Sequence, residues 1–113
     1  MQTNYDLKMT IVDGSTTVLT ANAVGSDVND SDELNTQIID VPTGSTDIVV
    51  ALGEVTPATT ILLEANQPMS VKINTSTVAV PFKALALVGT SITALTVSNA
   101  SGNAAKLKVT LKG

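Results

Sequence analysis

This sequence predicts an all-β fold, a sandwich or barrel of about nine short antiparallel strands. Three observations carry that expectation. Apolar and polar residues alternate with period two at many points, turn-forming residues recur at short intervals, and no stretch carries a sustained helical stripe. The abundance of Thr, Val and Ile suits strands and opposes helices.

The elements follow in order. Leu7, Met9 and Ile11 alternate with Asp6, Lys8 and Thr10, which puts the apolar side chains on one face of a first strand. Asp13-Gly14 then precedes a β-branched run, Thr16 to Leu19, so the first two strands are expected to pair as a hairpin. Further on, Ile48 to Leu52 and Ile61 to Leu63 are apolar on both faces, as expected for strands covered on both sides by another layer or another subunit. Met69, Val71 and Ile73 alternate with Ser70, Lys72 and Asn74. Ala and Leu in Lys83 to Val88 would suit a helix, but the segment is short and closed by Gly89, so a strand is expected there.

Ala84 to Val88 and Ile92 to Val97 read as two antiparallel strands joined at Gly89-Thr90-Ser91. Ile92 and Ala94 fall in the opposite register from Leu95 and Val97, which requires either a bulge or cover on both faces. In the last strand Leu107, Val109 and Leu111 alternate with Lys106, Lys108, Thr110 and Lys112, so the lysines are expected in water. Turn chemistry at Pro42 to Ser45, Gly53, Asn66-Gln67-Pro68, Asn74 to Ser76 and Ser101 to Asn103 separates these runs.

A length of 113 residues suits one domain over 1–113, with residues 1–6 as an N-terminal arm. Apolar residues make up 43% of the chain and charged residues 14%, so Ser, Thr and Asn must supply the polar surface. Six lysines against ten acids leave a net charge of −4, with no Arg and no His. Such a balance opposes nucleic acid as a partner, because phosphate recognition draws on clustered cations and on the Arg fork. Without Cys or His the common zinc sites cannot be built. The start, MQTNYDLKMT, lacks a basic region followed by an apolar one, and no window has the ~18 consecutive apolar residues of a membrane helix. A soluble protein not exported by its own signal, with no membrane partner, is expected.

Phe82 and Tyr5 are the only aromatic residues, so the core must be aliphatic. Each buried Leu, Ile or Val contributes roughly 1.5–3 kcal/mol, which can hold a small domain with a modest margin. Long β edges and two-sided apolar strands in such a domain point to a homo-oligomer.

Few residues suit chemistry. Between Gly25 and Glu33 lie Asp27, Asn29, Asp30, Ser31, Asp32 and Glu33, oxygen ligands of the kind calcium takes. The EF-hand pattern wants Gly at its sixth position and Glu at its twelfth, where this chain has Asp32 and Ile38, so a solvated loop and no metal is the expectation. Glu54 and Glu64 lie on or beside apolar strands, without the aromatic platforms that accompany sugar-cleaving pairs. A nucleophilic Ser generally needs a His or an activated Lys, and neither Ser-x-x-Lys nor Gly-x-Ser-x-Gly occurs. The glycines never form Gly-x-Gly, so no phosphate-cradling loop is indicated. No catalytic residue and no cofactor are therefore expected. The Asn-x-Ser triplets at Asn29, Asn74 and Asn99 read as turns. Gln2, Thr3, Asn4 and Tyr5 are the candidate partner contacts, with Tyr5 as an anchor of the interface type.

The order ALGEVTPATTILLEANQPMSVKINTSTVAVP, then KALALVGTSITALTVSNASGNAAKLKVTLKG, resembles small structural proteins of tailed-phage virions. The nearest likeness is to capsid decoration, or cement, proteins with a jelly-roll-like β-sandwich. It covers Val41 to Gly113 and rests on an ILLEANQPMSVKIN strand, a GTSITALTVSN strand, a small-residue turn and a final strand ending in Lys-Gly. The resemblance implies a non-catalytic protein, made in the host cytoplasm, that binds the major capsid protein on the outer capsid surface as a homotrimer. Tail, baseplate or fibre modules share such patterns, and a carbohydrate-binding or adhesin-like sandwich is the further alternative.

Overall fold

The computed structural model describes Met1 to Gly113 throughout. The chain is all-β and antiparallel, with eight strands: β1 (Gln2–Asp13), β2 (Thr16–Val28), β3 (Leu34–Val41), β4 (Ser45–Val50), β5 (Ala58–Ile73), β6 (Val80–Ile92), β7 (Leu95–Asn99) and β8 (Ala105–Lys112). Two compact units divide it, Met1–Asp30 and Ser31–Gly113.

The first unit is the expected hairpin. β1 and β2 pair from Gln2↔Val28 to Asp13↔Thr16, with one irregularity after Ile11 that leaves Val18 as the extra residue. The loop is two residues long, and Gly14 occupies it at φ 62°, a left-handed conformation that costs Gly nothing.

The second unit is a six-stranded sheet in the order β3-β8-β5-β7-β4, with β6 also on β5. β5 is 16 residues long and organises the whole. Its first half, Thr60–Ala65, pairs with β8, and its second half, Ser70–Ile73, pairs with β7. β6 pairs with both halves, so β7 and β8 lie end to end along the opposite edge of β5. β3 and β4 repeat that arrangement one strand further out, against β8 and β7. Each of these ribbons is interrupted at one level: β3/β4 at Pro42-Thr43-Gly44, β7/β8 between Asn99 and Ala105, and β5 at Ala65–Pro68, where its register with β6 shifts. At that crease the sheet curls into a half-barrel and closes over its own inner face.

The inner face forms one aliphatic core. Ile61, Leu63, Leu95, Leu107, Val109 and Leu111 are all essentially inaccessible, and Phe82 is the one aromatic residue among the core side chains. Ile39, Ala65, Ile73, Leu85 and Leu87 pack around it.

Four expectations are corrected. The strands number eight and several are long, because Asn66-Gln67-Pro68 and Gly89 are irregularities inside β5 and β6, where pairing resumes beyond them. Pro68 is tolerated at such a break because no ladder bond is asked of it. Second, Gly89-Thr90-Ser91 does not join two paired strands. β6 runs on to Ile92, and β6 and β7 both pair with β5 instead. The change of register between Ile92 and Leu95 is thus a change of strand at Thr93-Ala94, which lets all three of Ile92, Leu95 and Val97 point inward. Third, Ile48 and Val49 are not covered on both sides, since Val49 is 76% exposed while Val50 is buried. Fourth, Lys112 is buried, and its ammonium donates to the carbonyl of Gly113 at 3.1 Å. Lys106 and Lys108 do face water.

Candidate functional site

The residues expected to touch a partner begin β1. Gln2, Thr3, Asn4 and Tyr5 stand opposite Val28, Asp27, Ser26 and Gly25. The strand's alternation separates them: Thr3 and Tyr5 share one face, Gln2 and Asn4 the other, where the Gln2 amide donates to Asn4 Oδ1 at 2.6 Å. The end of the ribbon is closed by the Met1 ammonium donating to the Asn29 carbonyl at 2.8 Å, and by the Asn29 N–H donating to Met1 O at 3.2 Å. Tyr5 is half-buried because its ring lies across Gly25, where a Cβ would collide with the ring Cζ and hydroxyl. The residues set out in the sequence as an arm are therefore laddered backbone.

The face that carries Tyr5 continues along the ribbon. Leu7 stands opposite Ala23, Met9 opposite Ala21 and Ile11 opposite Leu19. Partners in an antiparallel ladder share a face, so these six residues form one apolar strip. It lies in the open: Leu7 is 40% exposed, Met9 64%, Ile11 45% and Leu19 54%. The strip was legible as an alternation, but sequence reasoning assigned no partner role to it. Nothing in a period-two pattern tells a core face from an exposed one.

The acidic segment is split between two settings. Asp27 belongs to β2, whereas Glu33 donates its N–H to Ser31 Oγ at 3.3 Å and its carbonyl accepts from the Gly113 N–H at 3.0 Å. Nowhere do three carboxylates converge as a metal would require. A concavity of about 520 Å³ lies among Asp32, Glu33, Asn35, Gly53 and Glu54, and Asn35 Oδ1 is buried there without a hydrogen-bond partner. A second concavity, of about 340 Å³, lies at the crease beside Asp40, Pro42, Asn66 and Lys106. Its charges are already matched, with Lys106 Nζ 2.7 Å from Asp40 Oδ1 and the Lys106 N–H donating to Asn66 Oδ1 at 2.9 Å. Glu54 and Glu64, weighed above as acids, are not brought together: Glu54 lies in the turn before Val55, and Glu64 is in β5 opposite Lys108.

Asn74 and Asn99 are turn residues with defined work. Asn74 sits at φ 57°, and its Oδ1 accepts from the Thr93 N–H at 2.7 Å, which fixes the turn between β6 and β7. Asn99 is fully buried and organises the crease. No family model, curated protein or solved structure matches this chain.

Proposed function

We propose that this chain is a tailed-phage virion structural protein that decorates the assembled capsid and stabilises it by non-catalytic binding to the major capsid protein. The sequence resemblance over Val41 to Gly113 suggests the reading, and one observation supports it best. Large apolar side chains stand exposed on strand faces of a charge-poor surface in both units, among them Met9 at 64%, Leu34 at 62%, Ile38 at 68% and Val49 at 76%. Exposed apolar surface with a polar rim is the ordinary mark of a protein-binding face. The net charge of −4 would steer the protein toward basic patches on a shell.

Co-sedimentation with empty capsids tests the proposal. Saturable binding is expected at a fixed ratio to capsid subunits. Protein that stays in the supernatant at all concentrations would overturn it, as would labelled protein found only on the tail by electron microscopy. Tight, specific binding on a glycan array would favour the carbohydrate-binding alternative.

A further inference from the structure

We infer that the apolar face of the β1–β2 hairpin is a self-association surface, packing against the same face of a second copy of this chain. The inference goes beyond the virion reading and does not rest on it.

An isolated two-stranded ribbon is marginally stable in water at best, and the usual remedy is a further layer against its apolar face. Here the six-residue strip is that face, and it is open to solvent. The opposite face is unsuited to the task, since it carries Asp6, Lys8, Asn22, Asn4 and Ser26.

The strip is complementary to itself. Its bulky residues, Leu7, Met9 and Ile11, line β1, and two small ones, Ala21 and Ala23, line β2. A two-fold axis parallel to the strands and midway between two facing ribbons places β1 of each copy over β2 of the other. Met9 then enters the space over Ala21, and Leu7 the space over Ala23, in both directions at once, as an isologous interface requires. No charged side chain lies within the strip, so pairing buries none. Asp13 and Asp27 mark its two ends, on the solvated rim.

The size of the surface sets the strength. β1 has 12 residues. At ~3.3 Å per residue the ribbon is ~40 Å long and, with strands ~5 Å apart, ~10 Å wide. Two interdigitated faces of that size remove on the order of 1,000 Å² from water, at the lower bound of specific interfaces. The pairing should therefore be concentration-dependent, not permanent.

Light scattering and sedimentation equilibrium of the full chain over a wide concentration range test this directly. The mass should rise from that of one chain, 11.5 kDa, toward twice that value. Met9→Asp should hold the mass at one chain while leaving the β spectrum and the unfolding of the second unit's core unchanged. Geometry is read separately, using the absence of native cysteines. Met9→Cys chains mixed with Ala21→Cys chains should form a mixed disulfide under mild oxidation, whereas Lys8→Cys mixed with Asn22→Cys should not. A single-chain mass at every concentration would overturn the inference. So would Met9→Asp chains that associate like wild type, or cross-linking confined to the Lys8/Asn22 face. A mass of three chains would overturn the two-fold arrangement. Failure to bind capsids alongside a reversible dimer would sink the virion reading alone.

Discussion

Asn99 Nδ2 donates to the carbonyl of Val41 at 3.0 Å, tying the end of β7 to the end of β3 at the crease of the sheet. The same amide donates to Asn103 O at 2.8 Å, and Oδ1 accepts from the Ser101 N–H at 3.0 Å and its hydroxyl at 2.7 Å. The Gly44 N–H donates to Asn99 O at 2.8 Å, so one residue holds the breaks in both ribbons.

Asn99→Ala should therefore be costly out of proportion to its size. It strands polar groups in a buried place, and each such group costs ~1–3 kcal/mol, so a loss of ~2–4 kcal/mol is predicted. Urea unfolding should show a lower midpoint with an unchanged slope. A variant within about 0.5 kcal/mol of wild type would refute the role assigned to Asn99.

Asn74 separates backbone from side-chain effects. Its left-handed φ of 57° favours Asn or Gly, while its side chain bonds Thr93 and, through Nδ2 at 3.1 Å, the Ser91 carbonyl. Asn74→Gly loses only the side-chain bonds, and ~1–2 kcal/mol is expected. Asn74→Ala adds the strain of a left-handed non-Gly residue, a further ~1 kcal/mol. Equal losses in the two variants by thermal unfolding would show that the backbone conformation carries no cost.

Burial distinguishes neighbouring β-branched and aliphatic positions. Leu95 and Val97 are each 1% exposed, so an Asp there would be a buried, unpaired charge. Leu95→Asp and Val97→Asp are predicted to lose ~4 kcal/mol or more and the native β circular dichroism with it. Val49→Asp, at 76% exposed, should shift stability by no more than ~0.5 kcal/mol. The reverse ranking would invert the inner and outer faces of β4 and β7.

The Lys106–Asp40 pair should matter little in spite of its 2.7 Å separation. Both side chains are well exposed, at 68% and 77%, where solvent and salt screen the attraction. Lys106→Ala and Asp40→Ala should each stay within ~1 kcal/mol of wild type in chemical denaturation. A larger loss in either would mean that the crease depends on the ion pair.

Much of the fold was readable along the chain. The β1–β2 hairpin followed from Asp13-Gly14 and the alternation before it, and the inward set Leu107, Val109 and Leu111 from a strict period of two. The partner surface was readable only as a pattern. Gln2 to Tyr5 were singled out for their place near the start and for one aromatic ring, whereas the exposed strip begins beyond them at Leu7. Ile92 and Leu95 show the limit from the other side, since a mismatch of register looked like a bulge or an outer subunit and is a two-residue turn.

By itself the sequence determined the strand class, the hairpin, the aliphatic core and the faces that side chains share, because alternation and turn chemistry act over a few residues. Only the tertiary structure decided that β5 would be shared by β6, β7 and β8, and that the ribbons would crease together around Asn99. It also decided that the face bearing Met9 would be exposed while the face bearing Leu107 is buried. Those outcomes depend on which distant backbone edge or layer meets a given strand, and period-two alternation is the same whether the apolar face meets a neighbour or meets water.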